Sequence, residues 1–122
     1  MANVVLVGLE PSAAGQIGRA LAKECHEIRN TNRNITAEEL SDADIVFAGG
    51  DQTQYLNLLR HVRASRPTLP FVVVTGHPKT ADWLDALDAG ATDYCSAPFE
   101  QRQINWLMES ALHKTKVRVA AA

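Results

Sequence analysis

The residues able to do chemistry stand at three points in the chain: Gly8-Leu9-Glu10, Ala48-Gly49-Gly50-Asp51 and Thr75-Gly76-His77. A carboxylate can contact a hard cation, and Glu10 would have to do so alone. Asp51 stands where an aspartate caps the free amides of a following helix. Thr75 either offers a hydroxyl or simply closes a strand as a β-former. His77, before Pro78, has no carboxylate or nucleophile placed to pair with it, so it reads as a loop histidine rather than a general base. The set is short of carboxylates and holds no nucleophile–base pair. No catalytic residue, metal site or cofactor is expected, and the chain is not expected to be an enzyme.

Two further patterns carry weaker signals. Gly15-Gln16-Ile17-Gly18-Arg19-Ala20 is superficially like the dinucleotide fingerprint G-x-G-x-x-G, whose glycines let a pyrophosphate approach a helix N-terminus. Ala13 replaces the first glycine, and Arg29-Asn30-Thr31 lacks the acidic residue that should follow a second strand. A nucleotide-binding Rossmann-like domain is thus the lesser alternative, with helix packing as the plain explanation of Gly18. Cys25 and Cys95 lack metal-ligand spacing and read as reduced, buried, structural thiols of a cytosolic protein.

The elements that must position these residues follow from periodicity. Val4-Val5-Leu6-Val7, Ile45-Val46-Phe47 and Phe71-Val72-Val73-Val74 are continuously apolar, as strands of a parallel sheet buried on both faces are. Strand 1 is expected over about 3–9, a polar edge strand over 26–29, and a minimal fifth strand at Tyr94-Cys95. Helices are expected from Ser12 to about Glu24, from Thr36 to near Ser41, from Gln52 to Ala64, after Pro78 through Asp88, and from near Glu100. Tyr55, Leu58, Leu59 and Val62 form one buried stripe; Ile104, Leu107, Met108, Ala111 and Leu112 form another. The alternation predicts a doubly wound α/β fold with short right-handed crossovers. In such a sheet, binding and chemistry gather past the carboxyl ends of the strands, where the three sets above fall.

With 122 residues, 46% hydrophobic and 21% charged, residues 1–122 are expected to form one globular domain. A net charge of −2 gives no reason to expect nucleic acid as a partner. Lys114, Lys116 and Arg118 read as cations near the negative end of a helix. No apolar stretch approaches ~18 residues and no signal peptide is visible, so a cytoplasmic location without membrane contact is expected.

Residues 82–99, Asp-Trp-Leu-Asp-Ala-Leu-Asp-Ala-Gly-Ala-Thr-Asp-Tyr-Cys-Ser-Ala-Pro-Phe, resemble the fourth helix and fifth strand of response-regulator receiver domains of the CheY-like superfamily. Pro70-Phe-Val-Val-Val-Thr-Gly-His77, Asp44-Ile45-Val46-Phe47 and the passage from strand 1 into Glu10-Pro11 fit the same template, so that the likeness covers residues 3–113. It implies a five-stranded parallel sheet of flavodoxin-like order 2-1-3-4-5 in three α/β/α layers. It also implies a site: an aspartate acceptor after strand 3, an acidic pair after strand 1 for Mg²⁺, and a lysine before the Pro-Phe turn. In this chain the acidic pair falls on Gly8 and Leu9, the acceptor on Gly49 and the lysine on Ala97. Thr75 and Tyr94 match the two switch residues. Asp51 is a weak alternative acceptor, two residues past the template position.

The resemblance therefore implies a pseudo-receiver in two-component or phosphorelay signalling of the bacterial type. It would act by protein–protein interaction, often through the face of helix 4, strand 5 and helix 5. Trp106 lies off the stripe of its helix, ~100° from Leu107 and ~160° from Met108, and with Arg102 and Trp83 it is a candidate interface, including for a homodimer. Each indole could equally fold down over its own helix. A second variant is a pseudo-receiver that senses a small ligand or anion in the space left by Gly8, Gly49, Gly50 and Ala97.

Overall fold

The computed structural model describes residues 3–22, 27–31, 35–96 and 101–110. The apolar runs become strands: β1 (Asn3–Val7), β3 (Ile45–Ala48) and β4 (Phe71–Thr75), with β2 (Glu27–Thr31) and β5 (Asp93–Ser96) at the edges. All pairings are parallel and the order is β2-β1-β3-β4-β5. The helices between them are α1 (Pro11–Ala22), α2 (Ala37–Leu40), α3 (Gln52–Ser65) and α4 (Thr80–Asp88). Residues 101–110 form a fifth helix, α5.

Period-two alternation divides the core into two layers. Val5, Val7, Val46, Ala48, Phe71 and Val73 pack beneath α2, α3 and α4. Val4, Leu6, Ile45, Phe47, Val72 and Val74 pack beneath α1 and α5. Phe47 and Phe71 are fully buried, one in each layer, and truncating either to alanine costs about 3–5 kcal/mol. Helix α3 buries Tyr55, Leu58, Leu59 and Val62, as its spacing predicts. Ile104, Leu107 and Met108 are buried on α5; Ala111 and Leu112 of the expected stripe lie outside the described residues.

Several boundaries differ from the sequence expectation. Strand β1 ends at Val7 rather than near Leu9, because Gly8 turns the chain with φ 65°. Helix α1 begins at Pro11, so Ser12 lies inside it and is not its cap. Proline's fixed φ suits a first helical position, and the first helical bond runs from Ala14 N–H to the Glu10 carbonyl. Strand β2 extends to Thr31 because it pairs with the whole of β1. Its expected start at His26, the expected end of α1 at Glu24, Cys25 and the C-terminal basic cluster lie outside the described residues.

The caps explain why the other helices stop and start where they do. Thr36 and Glu39 form a reciprocal capping box at α2. At the end of α4, Gly90 adopts φ 108°, with Gly90 N–H bonded to Leu87 O and Ala91 N–H to Ala86 O. These two bonds make a Schellman motif, which needs a residue at ease in the left-handed region.

Candidate functional site

The loops after β1, β3 and β4 enclose a crevice of about 160 Å³ at the carboxyl edge of the sheet. Gly8, Leu9, Gly49, Gly50, Thr75 and His77 are among its walls, so the structure brings the three sequence-predicted sets together. Glu10 and His77 are the ionisable residues of the lining, and both are exposed.

Gly49 is buried and its amide donates to Val7 O at 2.9 Å. A β-carbon built on it would lie 2.9 Å from the Gly8 carbonyl oxygen, 3.1 Å from Leu9 Cδ2 and 3.3 Å from Leu9 Cα. Leu9 packs on the α1–α5 layer, so an apolar side chain leans over the end of β3. A hard divalent cation requires clustered oxygen ligands. Glu10 is the one carboxylate of this lining, and no group of three or more His, Cys, Asp or Glu among the described residues could hold a metal ion. The residues at this edge do not fit such a cation.

Asp51 caps α3. Its Oδ1 accepts from Gln54 N–H at 2.9 Å, and Gln54 Oε1 accepts from Asp51 N–H at 3.0 Å. Thr75 and Tyr94 both serve the loop between β4 and α4. Thr75 Oγ1 accepts from His77 N–H at 3.1 Å, and the Tyr94 hydroxyl accepts from Lys79 N–H at 3.4 Å. Ala97 lies outside the described residues.

One residue of this neighbourhood reads only as core in the sequence. Tyr55 meets Tyr94 edge to face, with ring centroids 6.5 Å apart and planes at 70°. Its side chain is 2% exposed, and its hydroxyl has no hydrogen-bond partner among the described residues. Burial, reinforced by Tyr94, Asp82 and Asp85, pushes its phenol up to about 12. A tyrosine where α3 needs only a phenylalanine is the sequence signal that could have drawn attention to it. Cys95 contrasts with the exposed rim: burial, then Asp93, pushes its thiol up to about 12, so it is no nucleophile at neutral pH.

No family model matches the chain. It is 31% identical over 77 residues to the virulence transcriptional regulatory protein PhoP of Shigella flexneri, covering 63% of this chain and 34% of that protein. The PhoP of Escherichia coli K12 is 30% identical over the same length. The chain thus spans about a third of the length of the curated relatives it matches. Among solved structures, NtrX from Brucella abortus in complex with ATP superposes with a TM-score of 0.85 at 24% identity, over 98% of this chain and 29% of that one. A response regulator receiver domain protein from Clostridium thermocellum superposes with a TM-score of 0.83 at 18% identity, over 96% and 98% of the two chains. The chain has the receiver fold.

In this receiver fold four large apolar side chains are exposed among the described residues. Trp83 is 42% exposed, Leu84 50% and Leu87 36%, all on α4; Trp106 on α5 is 60% exposed. Neither indole is folded away among the described residues. Arg102 is exposed on α5. Helix α4 lies over one layer of the core and α5 over the other, with β5 between them in sequence: Tyr94 packs on the α4 side and Cys95 on the α5 side. Among the described residues, no helix is long and apolar enough to cross a membrane.

Proposed function

We propose that this chain is a pseudo-receiver: a cytoplasmic receiver-like module of two-component-type signalling that acts by protein contact, without phosphorylation of an aspartate and without catalysis of its own. The observation that carries this is the crowding at Gly49, the position to which the resemblance assigns the acceptor. Even a β-carbon there meets backbone at 2.9 Å, so a carboxylate has no room without a shift of the Gly8-Leu9 turn. Gly8 and Leu9 fall where the acidic pair belongs, and Ala97 where the lysine belongs. Phosphoryl transfer depends on positioned charge, and three of its parts are missing at once. Asp51, the alternative acceptor, is engaged as a helix cap.

The partner is a protein of the signalling pathway, bound at the face formed by α4, β5 and α5 through Trp83, Arg102 and Trp106. A second copy of the chain is one candidate for that place. Incubation with acetyl phosphate and Mg²⁺, followed by intact mass measurement, tests the central claim: an unchanged mass is expected. A labile phosphoryl adduct that disappears in Asp51→Asn would overturn it and make Asp51 the acceptor. The crevice of about 160 Å³ favours one second reading, in which a small ligand or anion is sensed there. Its volume lies below the ~300–1,000 Å³ usual for drug-sized ligands, which weighs against a nucleotide. A thermal-shift screen of nucleotides and small anions separates ligand sensing from protein contact alone.

A further inference from the structure

Three of the four large apolar side chains exposed among the described residues lie on α4, and their arrangement on the helix is ordered. At ~100° per residue, Trp83, Leu87 and Leu84 span an arc of about 100°, with Leu84 about 160° from the buried Ala86. The arc continues directly into carboxylates: Asp88 lies ~40° beyond Leu84, and Asp85, which also accepts from Gln52 Nε2 at 3.0 Å, lies ~100° beyond it. Between Thr80 and Asp88 the helix carries three aspartates and no cation; the cation at its N-terminal end is Lys79, at the N-cap. Arg63, which reaches its C-terminal end, is committed to carbonyls. It donates to Gly90 O at 3.1 and 2.9 Å and to Leu69 O at 2.6 Å.

We infer that α4 receives a cationic amphipathic protein segment, one that sets apolar side chains on Trp83, Leu84 and Leu87 and lysine or arginine opposite Asp85 and Asp88. This names the chemistry of the partner and rests on the protein-contact reading above. Charge decides among occupants. A two-fold contact that set α4 upon the α4 of a second copy would bring Asp85 and Asp88 against their own kind, which costs association. A phosphate-rich surface, whether nucleic acid or anionic lipid, meets the same repulsion. A cationic helix meets attraction along one flank and apolar burial along the other, the arrangement of helix-in-groove recognition.

The test uses synthetic amphipathic helices made of leucine with lysine and of leucine with glutamate, titrated into the ¹⁵N-labelled protein at low and high salt. Expected is binding of the leucine–lysine helix alone, with shifts centred on the amides of 80–88 and the Trp83 indole, weakening as salt rises. Leu84→Ser and Asp88→Asn, both at exposed positions, should each weaken it by about fivefold or more. Asp88→Lys, which leaves the Gln52–Asp85 bond in place, should move the preference towards the leucine–glutamate helix. Equal binding of both peptides, shifts located elsewhere, or affinity indifferent to Leu84→Ser would overturn the inference. So would self-association of the protein abolished by Leu84→Ser, since the occupant would then be a second copy. A phosphoryl adduct in the acetyl phosphate experiment would sink the pseudo-receiver reading while leaving peptide selectivity at α4 intact, so the two failures are distinct.

Discussion

A β-carbon on Gly49 would sit 2.9 Å from the carbonyl oxygen of Gly8, so the two glycines hold the ends of β3 and β1 in direct backbone approach. The approach is anchored by the Gly49 N–H bond to Val7 O and by the register pairing Val7 with Ala48. Placing an aspartate there by Gly49→Asp should therefore lower stability by about 1–3 kcal/mol, the usual cost of overpacking, and should yield no phosphoryl adduct. Urea unfolding and intact mass after acetyl phosphate measure both. An aspartate accepted without loss of stability, and phosphorylated, would contradict the crowding as its cause.

Tyr55 makes the opposite kind of prediction. Its buried hydroxyl has no partner among the described residues, so Tyr55→Phe should be neutral or stabilising by up to about 1 kcal/mol. The phenol ionises at about 12 rather than 10.0 because the folded state disfavours the phenolate. A pKa raised on folding contributes stability that is whole below pH 10 and lost as pH climbs through 12. Ultraviolet titration of the native protein should show this late step, and Tyr55→Phe should remove it. A Tyr55 difference spectrum titrating at the ordinary phenol value would refute the burial account.

Cys95 should react slowly. With its thiol raised from 9.0 to about 12, first by burial and then by Asp93, the native protein holds about a thousandfold less thiolate at pH 8 than the unfolded chain. In a Cys25→Ser background, alkylation should be slow in buffer and fast in denaturant. By the same sign rule, the stability tied to Cys95 is intact below pH 9 and falls away towards pH 12. Labelling equally rapid in both states would show the thiol to be open to solvent.

Asp51 should behave as a cap. Asp51→Ala should cost about 1 kcal/mol, and Asp51→Ser should recover most of it, because serine also accepts a bond from the third helical amide. Chemical denaturation of the pair decides the matter. Equal stability of both variants with the wild type would leave Asp51 without its structural role.

Much of the fold is legible in the sequence because strands buried on both faces are written as short, continuously apolar, β-branched runs. The three apolar runs became β1, β3 and β4, and α3 buried the four residues its spacing marks. What escaped depends on neighbours distant in sequence. The polar β2 borrows its length from β1, and nothing in Glu27–Thr31 announces that. Leu9 looks like strand continuation until Gly8 turns the chain and lays it over Gly49. Leu84 and Leu87 have the look of core residues, yet only Ala86 of their helix is buried. The orphan hydroxyl of Tyr55 is invisible without α4 and Tyr94 above it. Local pattern decides which element forms; the meeting of two loops decides what a site can hold.

That shallow seating of α4 has a consequence for how occupancy could be seen. A helix that buries only Ala86, and is otherwise held by the Gln52 Nε2–Asp85 Oδ2 bond of 3.0 Å, by Lys79 N–H on the Tyr94 hydroxyl and by Arg63 on the Gly90 carbonyl, should open before the sheet does. Its amides should then exchange hydrogen for deuterium through local openings, at free energies well below that of global unfolding. A partner lying across Leu84 and Trp83 would close that route first. The exchange rate of residues 80–88 is thus a built-in gauge, fast when the helix stands bare and slow when it is covered.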